Sequence, residues 1–288
     1  MHRALLSLAL LVSCAAGHAQ SSASLTLSGY ADSSNGSSYD ADAYFSPSTH
    51  WSIGGGIGHS NSKLSGAEFS GESLRFNTDV TLGSFNASAA VQRWKDSSQL
   101  TSDSTEGQLM WSASNGLGLA AIVDNRNLTV KYQVRALASQ TRPLQVDFDG
   151  TGYGGELSYF GERWNSAIRG VFYGYGPSLA RVRAAASAPT TTEFPRLSAL
   201  VDSIITRGVN APEHELSMTL GRTLTRSSLQ MDWVLQRDAL TLADSMSLSL
   251  RHGYRFTPHV ELATTLGMSD GDTYDSVAFG GLALTLRR

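Results

Sequence analysis

Between Leu25 and Leu286, apolar side chains recur at every second position, in segments of roughly eight to ten residues separated by polar turns. A period of two belongs to a strand whose faces meet different surroundings. Leu74, Phe76, Thr78, Val80 and Leu82 alternate with Arg75, Asn77, Asp79 and Thr81, and Leu229, Met231, Trp233 and Leu235 alternate with Gln230, Asp232 and Gln236. The apolar face carries almost no charge at strand centres, while the other face mixes Ser, Thr, Asn, Gln and charges of both signs. A soluble sandwich would turn its apolar face inward and its charges outward. The pattern here has the opposite sense, with lipid outside and water inside.

The expected fold is therefore all-β, a single closed antiparallel transmembrane β-barrel of about 16 strands over residues 20–288. Short connections are expected at residues 46–50, 83–84, 114–116, 161–163, 225–227 and 257–259. Longer ones are expected at 60–71, 95–106, 176–212, 237–244 and 269–276, with two further short turns near Asn125 and Gly150. Short turns on one rim and longer loops on the other is the outer-membrane arrangement. Phe45, Trp51, Phe85, Tyr159, Trp164 and Tyr254 cluster beside the short turns, as an interfacial girdle of amphipathic rings would.

The first 19 residues read as a cleaved signal peptide. Arg3 supplies a positive start, residues 4–12 are apolar, and Gly17-His18-Ala19 supplies small residues for cleavage before Gln20. The apolar run is too short for a membrane helix, which needs about 20 residues. Leu11-Val12-Ser13-Cys14 offers a second processing route, lipidation at Cys14, the sole cysteine. With Cys14 removed, neither a disulfide nor a thiolate metal site can form. Loss of Arg3 leaves 21 basic and 25 acidic residues, with Lys63, Lys95 and Lys131 the only lysines, so no nucleic-acid partner is expected.

In this pattern residues 24–288 resemble the Gram-negative outer-membrane β-barrels, porin-like and secretion-pore-like. Gly281 followed by Leu284 and Leu286 resembles the terminal signal read by the barrel-insertion machinery, with leucines where the family usually has aromatics and with Arg287-Arg288 beyond it. The resemblance implies an outer-membrane location, lipid around the barrel, and that machinery as a partner. A barrel of this size can enclose an aqueous channel. The functional expectation is a non-enzymatic pore or conduit for hydrophilic solutes or an exported polymer such as a polysaccharide. A structural or adhesive barrel and a lipid-modifying enzyme are the alternatives.

Ten charged residues take the parity expected to line the lumen: Arg75, Asp79, Lys131, Arg135, Asp147, Glu156, Arg169, Asp232, Arg251 and Glu261. Mixed signs on adjacent strands can form cross-strand ladders. Residues 176–212 contain a candidate helix in which Leu197, Leu200, Val201 and Ile204 share a face. Folded inward, Arg196, Leu200, Ile204 and Arg207 would form a constriction with a basic edge. No metal or cofactor is expected. His50, His59, His214, His252 and His259 lack metal-ligand spacing, and Gly54-Gly55-Gly56-Ile57-Gly58 sits in a strand pattern without the Lys-Ser/Thr of a phosphate loop. Glycine there relieves crowding or permits curvature. Three carboxylates in residues 269–275 fall short of a full calcium ligand series and read as a solvated loop.

Overall fold

The structure, a computed structural model, describes residues 21–64, 67–96, 100–135, 141–176, 211–239, 242–272 and 274–288. The expected leader and the candidate helix, with Arg196, Leu200, Ile204 and Arg207, lie outside those residues. The strands are β1 (Ser22–Asp32), β2 (Ser37–Ser48), β3 (Trp51–Leu64), β4 (Ala67–Leu82), β5 (Phe85–Asp96), β6 (Leu100–Ser112) and β7 (Leu117–Arg135). They continue with β8 (Thr141–Phe160), β9 (Trp164–Tyr175), β10 (Pro212–Thr223), β11 (Ser227–Asp238), β12 (Asp244–Thr257), β13 (Val260–Gly271) and β14 (Tyr274–Arg287). Each pairs antiparallel with its sequence neighbours, and β1 pairs with β14 from Ser24↔Arg287 to Asp32↔Phe279, closing the barrel. Closure matters because an unsatisfied backbone group in lipid costs several kcal/mol, and a closed ladder leaves no edge. No helix among the described residues is long and apolar enough to cross a membrane.

Among the described residues fourteen strands form the barrel where the alternation suggests about 16. The difference lies in β7 and β8, which run 19 and 20 residues without a break. The turns expected near Asn125 and Gly150 are strand interior, where those residues pair in register with Thr151 and Arg126. What changes there is the phase of the amphipathic pattern. Below the slip, Leu117, Leu119 and Val123 face outward and are exposed. Above it the same parity carries Asn125 and Asn127, while Leu128 on the opposite parity is buried. On β8, Tyr153, Leu157 and Tyr159 face outward, but Phe148 is inward and only 1% exposed. A strand that leaves lipid for water keeps its backbone course and exchanges its apolar face.

The boundary is sharp. Val123 pairs with Tyr153, and one step higher on that face Thr151 Oγ1 donates to Asn125 Oδ1 at 3.0 Å. On the neighbouring hairpin Val91 pairs with Thr105, and next above them Arg93 makes a two-pronged bond to Asp103 at 2.7 and 2.9 Å. The other edge is marked by exposed Trp51, Phe85, Trp111, Tyr159, Trp164 and Tyr254 beside the short turns. In the turn after β6, Gly116 adopts φ +88°, and a Cβ there would lie 2.2 Å from the Phe160 carbonyl oxygen. Only glycine fits that turn.

Candidate functional site in the barrel interior

Residues whose strand neighbours face lipid must face inward, and this parity places the interior chemistry. At Arg75, β4 meets Gly56 of β3, which in turn meets Asp42 of β2. Arg75 Nη2 donates across the intervening strand to Asp40 Oδ1 at 2.9 Å and to Asp42 Oδ1 at 3.1 Å. Glycine makes the passage possible: a Cβ on Gly56 would sit 1.9 Å from Asp42 Oδ1, and one on Gly58 2.3 Å from Asp40 Oδ1. The expectation that this glycine run relieves crowding describes its role here.

The same construction recurs at β7–β8–β9. Asp124, Gly152 and Tyr173 share a register line, and the Tyr173 hydroxyl donates to Asp124 Oδ2 at 2.7 Å over the glycine. Arg126 Nε donates to the same oxygen at 2.8 Å, its Nη2 contacts the Tyr173 hydroxyl at 2.9 Å, and its guanidinium lies 4.8 Å from the Tyr173 ring centre. A Cβ on Gly152 would meet the Tyr173 ring at 2.6 Å, and one on Gly150 the Tyr175 ring at 2.4 Å. Asp124 is 2% exposed, with Oδ1 left without a hydrogen-bond partner. Ile122, Val171 and Tyr173 form an apolar cluster with Tyr175 packed against it. Arg169 of β9 passes over β8 and β7 to a two-pronged pair with Glu106 of β6, with Nη1 to Oε1 at 3.0 Å.

Of the ten candidate lining residues, Arg75, Asp79, Glu156, Arg169, Asp232, Arg251 and Glu261 take the inward parity. Asp79 accepts from Ser52 Oγ at 3.0 Å, Asp232 from Thr219 Oγ1 at 2.7 Å, and Glu261 pairs with Arg287 at 2.8 Å. Glu156 stands opposite Arg169 in register, but Arg169 is committed to Glu106. Among the described residues, Glu156 and Arg251 have no hydrogen-bond or ion-pair partner.

Asp147 requires a correction. It shares the parity of Tyr153 and Leu157 and lies on the outer face above the lipid boundary, where Thr129 Oγ1 donates to it at 2.8 Å. Lys131 and Arg135 pair in register with Gln145 and Thr141, and their side chains lie outside what the structure describes. The reason is the phase slip, which reverses the faces above Asn125 and Gly150. Missed altogether were Glu106, Asp124, Arg126 and Tyr173. The signal that points to them is Gly150, Gly152 and Gly154, which alternate on β8 as Gly54, Gly56 and Gly58 do on β3. Among the described residues no three His, Cys, Asp or Glu side chains gather as a metal site. In the acidic β13–β14 segment, Asp270 accepts from Ser276 Oγ and Asp272 from the Asp244 amide.

No family model matches the sequence, and no curated protein matches it. Solved structures do resemble the fold. The CymD monoaromatic hydrocarbon channel superposes with a TM-score of 0.52 at 8% identity, covering 96% of this chain and 89% of that one. A loop L8 deletion mutant of OmpT, an outer-membrane protein of Vibrio cholerae, gives 0.47 at 10% identity over 93% of this chain and 98% of that one. The KdgM porin, solved in complex with disordered oligogalacturonate, gives 0.43 at 6% identity, covering 91% and 98%. The likeness is one of fold. The chain is a closed antiparallel β-barrel, and it shares that fold with the CymD channel.

Proposed function

We propose that this barrel is a non-enzymatic outer-membrane pore or conduit for hydrophilic solutes or an exported polymer, delivered by a cleaved leader and inserted through its C-terminal strand β14. The observation that carries the reading is the way long polar side chains lie along the inner wall. Arg75 crosses Gly56 to Asp42, and Tyr173 crosses Gly152 to Asp124, so neither side chain is directed into the bore. Charges satisfied against the wall beside water suit passage of a polar solute. Fourteen strands also fall between the eight that side chains can fill and the 16–18 that leave an open aqueous channel.

A structural or adhesive barrel without transport is the second reading, favoured by one feature. Leu100, Phe148, Ile122 and Val171 are all nearly or fully buried, although all four take the inward parity. One part of the inner wall is thus covered rather than bathed. A rim hydrolase gains no comparable support, because His252 lies on the outer parity of β12 and Ser247 and Ser249 on the inner. Planar-bilayer recording of the purified barrel tests the proposal. Stepwise conductance is expected; a silent membrane at every voltage, with the protein shown to be inserted, would favour the structural reading.

A further inference from the structure

The rim that carries the short turns is electrically lopsided. From the β8–β9 turn to the C-terminus it bears Arg163, Arg222, Arg226, Arg255, Arg287 and Arg288, against Glu162 and Glu261. Glu261 is already paired with Arg287. The three turns of the other half, Thr49-His50, Gly83-Ser84 and residues 113–116, contain no Arg, Lys, Asp or Glu. A chain with net charge −3 thus gathers a basic arc over half of one rim.

Backbone hydrogen bonds tie the arc together. The Thr223 amide donates to the Arg163 carbonyl and the Arg255 amide to the Arg226 carbonyl, both at 2.8 Å. Arg163, Arg222, Arg226, Arg255 and Arg288 are exposed and have no ion-pair partner among the described residues. One of them also fixes the height. Arg222 lies on the outer parity of β10, paired in register with Trp164, and its guanidinium carbon stands 4.9 Å from that ring's centre. Trp164 belongs to the aromatic belt that sits at the lipid headgroups. A cation on the outer wall at that level faces headgroups rather than the bore.

We propose that the outer-wall and turn members of this arc bind anionic phospholipid of the adjacent leaflet, with Arg222 and Trp164 as the anchor and Arg163 and Arg226 on the flanking turns. Arg255 and Arg287, on the inward parity with Glu261, stand outside this site. The inference rests on the outer-membrane reading. A planar guanidinium offers a forked donor set to a phosphodiester. Each arginine near a charged lipid surface contributes enough to alter affinity roughly fivefold. The uncharged half of the rim provides no such attraction, so the annulus of lipid around the barrel is expected to be uneven.

The test is native mass spectrometry of the full detergent-solubilised protein titrated with phosphatidylglycerol and, separately, with phosphatidylcholine. Preferential retention of phosphatidylglycerol is expected. Arg222→Gln should lower its affinity roughly fivefold, Arg222→Lys should lower it less, and Arg93→Gln, on the opposite side of the lipid band, should leave it unchanged. Equal retention of the two lipids overturns the inference, as does an equal loss in Arg93→Gln and Arg222→Gln. Binding of soluble polygalacturonate without lipid preference also overturns it, assigning the arc to a polymer. Failure to form a heat-modifiable barrel in vesicles is a separate result, which removes the membrane reading itself.

Discussion

Arg75 and Asp42 stand on strands separated by a third, yet guanidinium and carboxylate meet at 3.1 Å because only the backbone of Gly56 lies between them. Gly56→Val should therefore cost about 1–3 kcal/mol through overpacking and lower the temperature at which the barrel loses its heat-modifiable gel mobility. The comparison is Gly55→Ala. Gly55 takes the outward parity, and its nearest neighbour would lie 3.4 Å from an added Cβ. Equal losses for the two variants would count against the glycine floor.

Removing one member of the buried Asp124 group strands the others. Asp124→Ala leaves the Arg126 charge in a largely desolvated site with only Glu215, 4.0 Å away, as a counter-ion, and should cost about 3 kcal/mol. Tyr173→Phe removes one donor to an acid that already has an unpartnered oxygen, and should cost about 1–3 kcal/mol. Equilibrium urea unfolding from lipid vesicles measures both, and the order of the two losses is the result at stake.

Lipid depth along β7 can be read by arginine substitution. Leu119→Arg places a charge in the hydrocarbon and should destabilise by about 2–4 kcal/mol, whereas Asn125→Arg, above the boundary, should cost less than about 1 kcal/mol. Similar costs at the two positions would mean that the boundary drawn between Val123 and Asn125 is misplaced.

Conduction should respond to the wall charges with opposite signs. Arg75→Ser leaves Asp40 and Asp42 without their cation and should shift the reversal potential under a salt gradient toward cation preference. Glu156→Gln removes an acid without a partner among the described residues and should shift it toward anions. Shifts of the same sign, or none in a conducting barrel, would show that these side chains do not sense the permeating ion.

The sequence reads well wherever one phase of alternation holds along a strand. The parities of Arg75 and Asp79 on β4, and of Asp232 on β11, follow directly from their neighbours, because a slip of one residue would put every apolar side chain of the strand in water. Alternation could not distinguish a turn from a change of solvent. On β7 and β8 the two leave the same mark, a shift of phase, and this is why two extra strands were expected and Asp147 was assigned to the wrong face. The interior bridges were hidden for another reason. Arg75 to Asp42 and Tyr173 to Asp124 each skip a strand, so they depend on two registers at once. The basic arc was invisible to composition, because acids elsewhere offset it.

The part of the β7–β8 hairpin above Asn125 and Thr151 has the patterning of a water-borne ribbon, and from Asn125 to Arg135 it climbs roughly 35 Å along the strand. Its length is therefore not tied to membrane thickness. Residues could be grafted into it in matched pairs on the two strands without disturbing the barrel wall. An odd insertion would reverse the faces of all that lies beyond it, so foreign sequence displayed there must arrive in even steps.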